Sequence, residues 1–382
     1  MDKKNKICFV VSTLFTVRVF LDNHIRELSA LFDVYIVANL TEKEKEYLQT
    51  LPIKGYQHIG IERKIHLVRD IKAVADLTRY FRKEQFFAVH SVTPKAGLLT
   101  ALAGKMAGLK NRIHIYTGQV WASRDGMMRK LLKFMDQLIA KLNTHSLVDG
   151  QSQREFLINE KILTETNSLV LANGSSAGVD TVKFSPDSNS RTEIRNSLGI
   201  KENQVVFIFM GRLCKDKGID ELLEAFSMLQ KEYSNAYLLL VGSDEENYTE
   251  RIKKCFSILV DKVNFCLYGL TPNPALLLNA GDVFCLPSYR EGFPMSVLEA
   301  SSSGLAAIVS DAYGLRDSIV PKVTGLVCKV RNVESLHAQM KFLMEHPEYR
   351  QLLGKNGREY VQKNFNQTDV SKAWVSFYFS LK

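Results

Sequence analysis

The chain of 382 residues lacks the features that mark several common classes of protein. Its six cysteines are scattered and form no Cys-x-x-Cys pair, which argues against a disulfide framework or a zinc site and is typical of a reducing cytoplasm. No apolar run approaches the ~18–20 residues that span a bilayer. A lysine-rich, apolar start is followed by no small-residue cleavage pattern, so we expect a first buried strand there rather than a signal peptide.

Three phosphate-binding signatures are also missing. The sequence contains no Gly-x-Gly-x-x-Gly, which weakens a nicotinamide-dehydrogenase interpretation, and no Gly-x4-Gly-Lys-Ser/Thr loop. No Asp-x-Asp occurs either, and the nearest segment, Asp244-Glu245-Glu246, is not a match. We therefore expect no metal-held diphosphate, no metal site and no cofactor.

The charge is uneven along a chain that otherwise has the composition of a soluble globular protein. Residues 1–172 hold 26 basic against 17 acidic side chains, whereas residues 173–382 hold 24 of each, so the net charge of +9 lies in the first part. A basic half suggests an anionic partner such as nucleic acid or a lipid headgroup surface. The simpler alternative is that the excess serves only solubility.

Strand-like and helix-like segments alternate twice along the chain, which predicts an α/β protein with two doubly wound parallel sheets. We place the first domain at residues 1–172 and the second at 173–365, and expect a C-terminal helix at about 366–382 to pack back on the first. Short apolar runs predict the strands: Ile7–Val11, Val34–Ala38, Phe86–Val89, Ile113–Tyr116, Ser146–Asp149, Leu169–Leu171, Val205–Met210, Ala236–Val241, Val263–Leu267, Val283–Leu286 and Ala306–Ser310.

The most informative segment is Leu286–Gly304, which reads LPSYREGFPMSVLEASSSG. Glu291 and Glu299 lie eight residues apart around a Gly-Phe-Pro turn. If Pro294 is the first helical residue, the next amides can bind an anion. Glu299 would then lie about one turn away, near ~5 Å, where a nucleotide's ribose diol would sit. Glu291, in the loop, would contact another part of the ligand. The alternative is a strand–turn–helix unit in which both glutamates are simply exposed to solvent.

A second segment, Gly211-Arg-Leu-Cys-Lys-Asp-Lys-Gly218, directly follows an apolar strand. Gly211 permits close approach to a ligand, while Arg212 and Lys217 suit a diphosphate. A pair of solvated surface cations is the alternative. Because both segments follow strands of the same half, a shared anionic ligand is favoured.

Three segments elsewhere are less specific. His90-Ser-Val-Thr-Pro-Lys95, between a strand and a helix, indicates either an anionic or hydroxyl-rich partner or a structural histidine. Val170–Asp180 contains Asn-Gly and is predicted to be a hinge turn rather than a ligand contact. The amphipathic, basic stretch Met127–Leu142 is predicted to be either a core-packing helix or one that lies on an anionic membrane.

Taken together, GRLCKDKG, the NG…GVD…F-P segment and LPSYREGFPMSVLEASSSG resemble the retaining, GT-B-fold glycosyltransferases of family 4. HSVTPKAG and IYTGQVWA resemble bacterial members that build O-antigen and capsule repeat units on a lipid carrier. The resemblance covers nearly the whole chain. It implies two Rossmann-like domains facing a central cleft, the first binding the acceptor and the second a nucleotide-sugar.

The resemblance also implies roles for individual residues. Arg212 and Lys217 would neutralise the donor diphosphate, Glu299 would bind the ribose and Glu291 the transferred sugar. Further donor contacts would come from Gly211, Tyr268, Leu270, Phe293, Pro294, Met295 and Ser296. Acceptor contacts would come from Ser12, Arg18, His90, Lys95 and Gln119.

Two departures from the family pattern concern the first half. Related members often carry Tyr-Thr-x-His-Gly, whereas this chain has Gln119 where that histidine would fall, and glutamine cannot act as a base. A glycine pair common near the start of the family is replaced by Ser12-Thr13-Leu14. These departures leave the acceptor contacts poorly specified.

The sequence thus predicts a metal-independent, retaining glycosyltransferase at the cytoplasmic face of the plasma membrane. It would move a sugar, an N-acetylated hexosamine or deoxyhexosamine, from a UDP donor to a polyprenyl-diphosphate-linked glycan. The expected partners are the nucleotide-sugar, the lipid-linked saccharide and the anionic membrane surface, but not nucleic acid. The alternatives are a nucleotide-sugar epimerase of the same fold and a non-catalytic protein that binds anionic glycans or lipids.

Overall fold

The computed structural model describes residues 4–62, 65–257 and 264–381. Its strands are β1 Lys6–Val10, β2 Asp33–Ala38, β3 Gly55–His58, β4 Ala88–Val92, β5 Asn111–Tyr116, β6 His145–Val148, β7 Ser168–Leu169, β8 Val205–Met210, β9 Ala236–Val241, β10 Phe265–Gly269, β11 Val283–Leu286, β12 Ala306–Ser310 and β13 Gly325–Cys328.

The α-helices are α1 Leu14–Thr16, α2 Asp22–Ser29, α3 Glu42–Gln49, α4 Leu67–Glu84, α5 Pro94–Met106, α6 Gly126–Leu142, α7 Gln151–Asn159, α8 Ser188–Ser197, α9 Ile219–Glu232, α10 Tyr248–Cys255, α11 Pro274–Leu278, α12 Met295–Ser302, α13 Val333–Glu345, α14 Pro347–Asn364 and α15 Gln367–Ser380. None of the helices in the described ranges combines the length and the apolarity that a bilayer crossing requires.

The chain divides into two compact units, which we call unit 1 and unit 2. Unit 1 comprises residues 1–178 together with 367–382, and unit 2 comprises residues 179–366. The first boundary falls after Gly178, beyond the predicted residue 172, and the Asn-Gly turn therefore belongs to the end of unit 1. Helix α15 belongs to unit 1 as well. Lys382, at the predicted end of this helix, lies outside the described residues.

Unit 1 is built on a parallel sheet in the order β3-β2-β1-β4-β5-β6-β7. Strand β1 is central and almost wholly buried, as expected for an apolar run in a parallel sheet covered on both faces. Helices α4 and α5 cover one face with a core of their own, while α2 and α15 contribute to a second core. The strand order reverses between β1 and β4, which makes their carboxyl ends the expected ligand site of this unit.

Helix α15 is fixed to unit 1 by buried aromatic stacking. The indole of Trp374 lies between two imidazoles, with ring centroids 4.2 Å from His24 and 4.9 Å from His90. His24 also bonds the Ser371 hydroxyl at 2.8 Å and the Ser176 carbonyl at 2.7 Å. Burial lowers the pKa of His24 to about 4, so the ring is neutral at physiological pH.

This burial predicts an acid-sensitive contact. Because His24 binds a proton more readily in the unfolded chain than in the folded one, the stability it contributes is lost as pH falls from about 6.5 to about 4. Replacing His24 by asparagine should reduce the drop in melting temperature across that window, measured by scanning calorimetry. The matched change His66→Asn, at an exposed histidine of the same unit, should leave the drop unchanged. Identical pH profiles for the wild type and His24→Asn would contradict this interpretation.

Unit 2 contains a second parallel sheet, in the order β10-β9-β8-β11-β12-β13. Every residue of β8 and β9 is buried, because both strands are continuous apolar runs between helices. The order reverses between β8 and β11. The two parallel sheets confirm the predicted α/β class with doubly wound units.

Local differences from the sequence prediction have identifiable causes. The polar, turn-rich stretch 185–191 contains the start of α8, because Asp187 caps the helix by accepting from the Asn189 amide. The sequence pattern predicts a helix over Val19–Leu31, whereas the helical segment starts earlier, at Leu14, and passes through one π-helical turn at Val17–Leu21. The short elements α3, β3 and α7 were not predicted. Val263, the predicted start of a strand, lies outside the described residues.

Candidate active site

The candidate site of unit 2 lies where the strand order reverses. The loops that follow β8 and β11 leave adjacent strands at the same carboxyl edge, which is where open α/β sheets bind ligands. Lys217 is in the first of these loops and Glu291 is in the second. The two sequence segments that predicted an anionic ligand are therefore brought together by the sheet topology.

The loops that follow β8 and β11 are in close contact. A Cβ atom on Gly218 would collide with the Pro287 carbonyl, and the φ of Gly218 is 69°, so only glycine fits here without strain. Arg290 pairs with Asp216 at 2.8 Å, and the Tyr289 amide donates to the Asp216 carbonyl at 2.8 Å. These bonds fix the position of the Lys217 loop relative to the Glu291 loop.

Lys217 and Glu291 form a direct ion pair at the reversal point. The Lys217 ammonium lies 2.5 Å from a Glu291 carboxylate oxygen, and the side chains are only 15% and 14% exposed. The sequence analysis gave the lysine to a diphosphate and the glutamate to a sugar. In the structure the two side chains are paired with each other. A compact ammonium with three donors can retain the carboxylate while contacting a second anion.

Arg212 is held by a carboxylate that the sequence analysis set aside. Its guanidinium pairs with Glu245, in the loop after β9, and Glu246 of the same loop accepts from the Lys215 amide at 3.0 Å. Arg212 and Lys217, the two cations predicted to bind the diphosphate, thus each have an acidic partner. An incoming diphosphate would compete with Glu245 for the guanidinium, whose side chain is 47% exposed.

Glu299 differs from the other two carboxylates because it receives no hydrogen bond and no ion pair from any described side chain or amide. Burial raises the pKa of Glu299 to about 7, and the charge of Lys183 opposes that rise only in part. The side chain is only partly buried, so its oxygens can still accept hydrogen bonds from the hydroxyl groups of a ligand.

Helix α12 carries Glu299 and begins one residue later than predicted. Pro294 is the N-cap rather than the first helical residue, and its carbonyl accepts from the Val297 amide at 3.0 Å. Met295 and Ser296 therefore form the first turn, which still points its amides out of the helix start. Phe293 is buried against Phe365, with ring centroids 5.4 Å apart, and fixes the turn that precedes the helix.

Gly314, in the loop after β12, supports the Glu291 backbone. Its φ is 78°, and a Cβ atom there would collide with the carbonyl oxygens of Glu291 and Gly292. We expect Gly314→Ala to cost about 1–3 kcal/mol of unfolding free energy and to weaken UDP binding, because the Glu291 loop must move.

The matched control for this substitution is Gly199→Ala in the same unit. Gly199 has a φ of 66° but open space where a Cβ would lie. The change Gly199→Ala therefore causes backbone strain without a collision. Denaturant unfolding and UDP calorimetry on both variants separate the two effects. Equal UDP affinities for Gly314→Ala and the wild type would contradict the supporting role.

The remaining donor-site candidates are spread along the same edge of the sheet. Gly211 directly follows β8, and a Cβ on Gly242, at the end of β9, would strike its carbonyl. Tyr268, the last residue but one of β10, is 42% exposed, and Leu270, just after the strand, is 75% exposed. The Gly269 carbonyl accepts from the Gly242 amide at 2.8 Å, which ties the two strand ends together. A base binding there would find backbone groups and an exposed aromatic ring.

In unit 1, two of the predicted acceptor residues lie near the strand-order reversal. Ser12 follows β1, and its hydroxyl lies 3.2 Å from that of Thr93, which follows β4. Thr93 has a φ of 80°, which is uncommon for a β-branched residue. Arg18 is exposed on the π-helical turn, and its guanidinium lies 4.3 Å from the centroid of the Tyr47 ring. The sequence analysis missed Thr93, because a positive φ has no signature in a Val-Thr-Pro segment.

The structure contradicts the assignment of His90 to the acceptor and alters that of Lys95. His90 is only 1% exposed, stacks on Trp374 and bonds the Tyr378 hydroxyl at 2.9 Å, so it is a core residue that fixes α15. Lys95 is only 11% exposed and pairs with Asp70 at 2.6 Å. Its charge ties α5 to α4 instead of standing open to a ligand.

Gln119 is buried and oriented by a second glutamine. The Gln153 side-chain amide donates to the Gln119 side-chain oxygen at 3.2 Å, and both side chains are at most 2% exposed. Asp149 follows β6 at the same edge of the sheet, and burial raises the pKa of its carboxyl well above the usual range. Gln153 was missed because it lies on a helix, α7, that the sequence did not predict, and Asp149 was assigned only as the end of a predicted strand.

Comparison with known proteins agrees with this geometry. Residues 190–360, nearly all of unit 2, match the family model of glycosyl transferases group 1. The chain is a glycosyltransferase. Its enzyme class and its resemblance to transferases of capsule and O-antigen synthesis, both predicted from the sequence, are confirmed.

Two named relatives match over most of the glycosyltransferase chain. It is 28% identical to the capsular polysaccharide biosynthesis glycosyltransferase CapM of Staphylococcus aureus, over 91% of this chain and 89% of that protein. It is 26% identical to the UDP-Gal:alpha-D-GlcNAc-diphosphoundecaprenol alpha-1,3-galactosyltransferase of Escherichia coli, over 88% of this chain and 86% of that protein.

Solved structures confirm the fold of the transferase. The Anabaena protein Alr3699/HepE in complex with UDP and glucose superposes with a TM-score of 0.83 at 15% identity, covering 98% of this chain and all of that one. The lipopolysaccharide glycosyltransferase WaaG superposes with a TM-score of 0.71 at 18% identity, covering 96% and 98%. Together with the family match, these likenesses identify the predicted GT-B fold.

Proposed function

We propose that the protein is a retaining, metal-independent glycosyltransferase that moves a sugar from a UDP donor to a polyprenyl-diphosphate-linked glycan in O-antigen or capsule synthesis. The observation that carries the proposal is the Lys217–Glu291 pair at the strand-order reversal of unit 2, on the same sheet edge as the partly buried Glu299. The names of relatives that use UDP-Gal and diphosphoundecaprenol acceptors support the choice of substrates.

Each side chain of the donor site has a distinct proposed role. Arg212 leaves Glu245 for the donor diphosphate, and Lys217 binds the same diphosphate while it retains Glu291. Glu291 then accepts hydrogen bonds from hydroxyls of the transferred sugar. Glu299 accepts from the ribose hydroxyls, and the first-turn amides at Met295 and Ser296 contact phosphate or sugar oxygens. The base lies at Gly211, Tyr268 and Leu270.

Catalysis in this arrangement is mainly electrostatic. The acceptor hydroxyl oxygen forms a bond to the anomeric carbon on the face from which the diphosphate leaves, and the bond from that carbon to the diphosphate oxygen breaks. The hydroxyl proton passes to a phosphate oxygen of the leaving UDP. Arg212 and Lys217 stabilise the negative charge that develops there, and such electrostatic stabilisation is usually the largest contribution to the rate. No protein nucleophile takes part in this scheme.

The acceptor is proposed to bind unit 1. Ser12 and Thr93 supply hydroxyls at the strand-order reversal, Arg18 supplies an exposed cation, and Gln119 supplies an amide held by Gln153. The protein is proposed to work in the cytoplasm at the inner face of the plasma membrane. Helix α6 supports this, because Met127 and Phe134 are exposed beside basic residues.

Incubation of the full chain with a panel of UDP-sugars, including N-acetylated hexosamines, and a polyprenyl-diphosphate glycan tests the proposal. A retaining transferase consumes both substrates and gives a product with the donor's anomeric configuration, read by NMR. An epimerase would change the donor without acceptor, and a binding protein would consume neither. Either of those results, or an inverted product, would overturn the proposal.

A further inference from the structure

Gln119 of unit 1 is bonded at one end of its side-chain amide and open at the other. The Gln153 nitrogen donates to the Gln119 oxygen at 3.2 Å. The Gln119 nitrogen donates to none of the described residues, and it is not enclosed, although the residue as a whole is only 2% exposed. Buried polar groups normally have hydrogen-bond partners. The amide therefore offers a donor for which the described chain provides no acceptor.

The backbone that carries Gln119 is fixed by Trp121, two residues later. The indole nitrogen of Trp121 donates to the carboxyl group of Asp136 on α6 at 2.7 Å. The indole ring also stacks on Phe156 of α7, with ring centroids 5.5 Å apart. Two helices thus hold the segment that follows β5, and the remaining freedom of Gln119 lies in its own side chain.

Gln153 is buried at a cost that packing does not explain. It is the third residue of α7, it is fully buried, and its oxygen is enclosed without a donor from the described chain. An apolar side chain of the same length would avoid the cost of that unpaired oxygen. The bond to Gln119 is the one side-chain hydrogen bond that Gln153 makes with the described residues. Orientation of Gln119 therefore accounts for a glutamine at this position.

The contact determines which end of the Gln119 amide faces a ligand. A glutamine amide has an oxygen that accepts and a nitrogen that donates. Because Gln153 occupies the oxygen, the group that Gln119 presents is an N–H donor. The matching atom of a ligand is an oxygen that accepts.

The ends of three adjacent strands bring Gln119 to the same edge of the sheet as Ser12 and Thr93. Strands β1, β4 and β5 are neighbours, and Ser12, Thr93 and Gln119 follow them in that order. The carboxyl ends of parallel strands lie at one edge, which is where such sheets bind ligands. Two hydroxyl groups and one oriented amide donor are suited to a saccharide.

We propose that Gln153 is a positioning residue for the acceptor. By holding the Gln119 oxygen, it directs the Gln119 N–H to an oxygen atom of the saccharide that receives the sugar. This inference rests on the proposed binding of a lipid-linked saccharide to unit 1. It adds the residue that orients one contact and the hydrogen-bonding role of the substrate atom.

A double-mutant cycle on the full-length protein tests the inference, with the donor saturating and the polyprenyl-diphosphate saccharide varied. Gln153→Met keeps the length of the side chain but removes its amide. We expect it to raise the KM of the saccharide about tenfold and to leave kcat within about twofold, because the contact serves binding. Gln119→Met should have the same effect. The double variant should be no worse than either single one, because Gln153 acts only through Gln119.

The matched control is Gln151→Met on the same helix. Gln151 is exposed and donates to Glu155 at 3.1 Å, so its replacement should leave both kinetic constants unchanged. The double variant replaces both partners by apolar groups of similar shape and should unfold like the wild type. UDP affinity should be equal in all of these proteins.

Nuclear magnetic resonance tests the direction of the hydrogen bond. In protein labelled with ¹⁵N at the glutamine side chains, the Gln119 signal is the one that is missing from Gln119→Met. We expect the saccharide to move a Gln119 amide proton downfield, because an N–H that donates is deshielded, and to have no such effect in Gln153→Met. A saccharide that binds the wild type without moving this signal would overturn the inference.

The kinetic outcomes separate this inference from the proposed function. If the wild type turns over but Gln153→Met has an unchanged KM for the saccharide, Gln153 has no positioning role. Additive losses in the double variant would show that Gln153 acts through another group, which also overturns the inference. Neither result affects the proposed function. A wild type that does not use the saccharide would contradict the proposed function, and the inference with it.

Discussion

Replacing Lys217 by alanine is expected to lower kcat/KM for the nucleotide-sugar by about two to three orders of magnitude. Removal of one preorganised group that stabilises developing negative charge typically has an effect of that size. Lys217 is held for this role by its contact with Glu291 and is largely shielded from water. Steady-state kinetics with a saturating acceptor measure the effect.

Two further variants show whether the loss is due to diphosphate neutralisation. Lys215→Ala removes an exposed lysine from the same loop and should leave kcat/KM within about twofold of the wild type. Lys217→Ala/Glu291→Gln removes the carboxylate charge that the single change leaves unpaired, and should unfold like the wild type yet remain as inactive. Recovery of activity in the double variant would show that the ion pair matters only for stability.

Replacing Glu299 by glutamine is expected to weaken UDP binding by about tenfold and to change its pH dependence. The ribose diol donates hydrogen bonds, and a charged acceptor makes them stronger. Because the pKa of the unliganded carboxyl is about 7, the group is partly protonated at neutral pH and must lose its proton to accept both hydroxyls. UDP affinity of the wild type should therefore fall as pH drops below 7.

Calorimetry in buffers of different ionisation enthalpy detects this proton directly. At pH 7 the wild type should release a fraction of a proton when it binds UDP, and Glu299→Gln should not release that fraction. Any proton taken up or released by the UDP phosphate is the same for both proteins, so it cancels in the comparison. Glu224→Gln, at an exposed glutamate on α9, should behave like the wild type. Equal proton release from the wild type and Glu299→Gln would remove the carboxylate from the ribose site.

The sequence predicts unit 2 well because its signals are local. The apolar run of β8 ends next to Arg212, and that of β11 ends shortly before Glu291, so parallel pairing alone brings the loops to one edge. The start of α12 was predicted to within one residue from Pro294. The sequence did not predict that Lys217 and Glu291 form an ion pair, because this contact depends on how side chains are placed in two loops that are 74 residues apart.

Unit 1 was predicted less well for physical reasons of the same kind. His90 was predicted to follow a strand, but it lies within β4, where α15, from the far end of the chain, buries it under Trp374. The positive φ of Thr93 and the Gln153–Gln119 bond likewise depend on tertiary contacts. The pairing of Glu245 with Arg212 likewise depends on a contact between the loops that follow β9 and β8.

Titration of UDP into the wild type, Lys217→Ala and Glu299→Ala by calorimetry most directly tests the central claim, that the carboxyl edge of the unit 2 sheet is a nucleotide-sugar site. One UDP should bind to the wild type, and both variants should bind at least about tenfold more weakly while keeping the wild-type unfolding profile. Unchanged affinities in both variants would contradict the assignment of this edge to the donor.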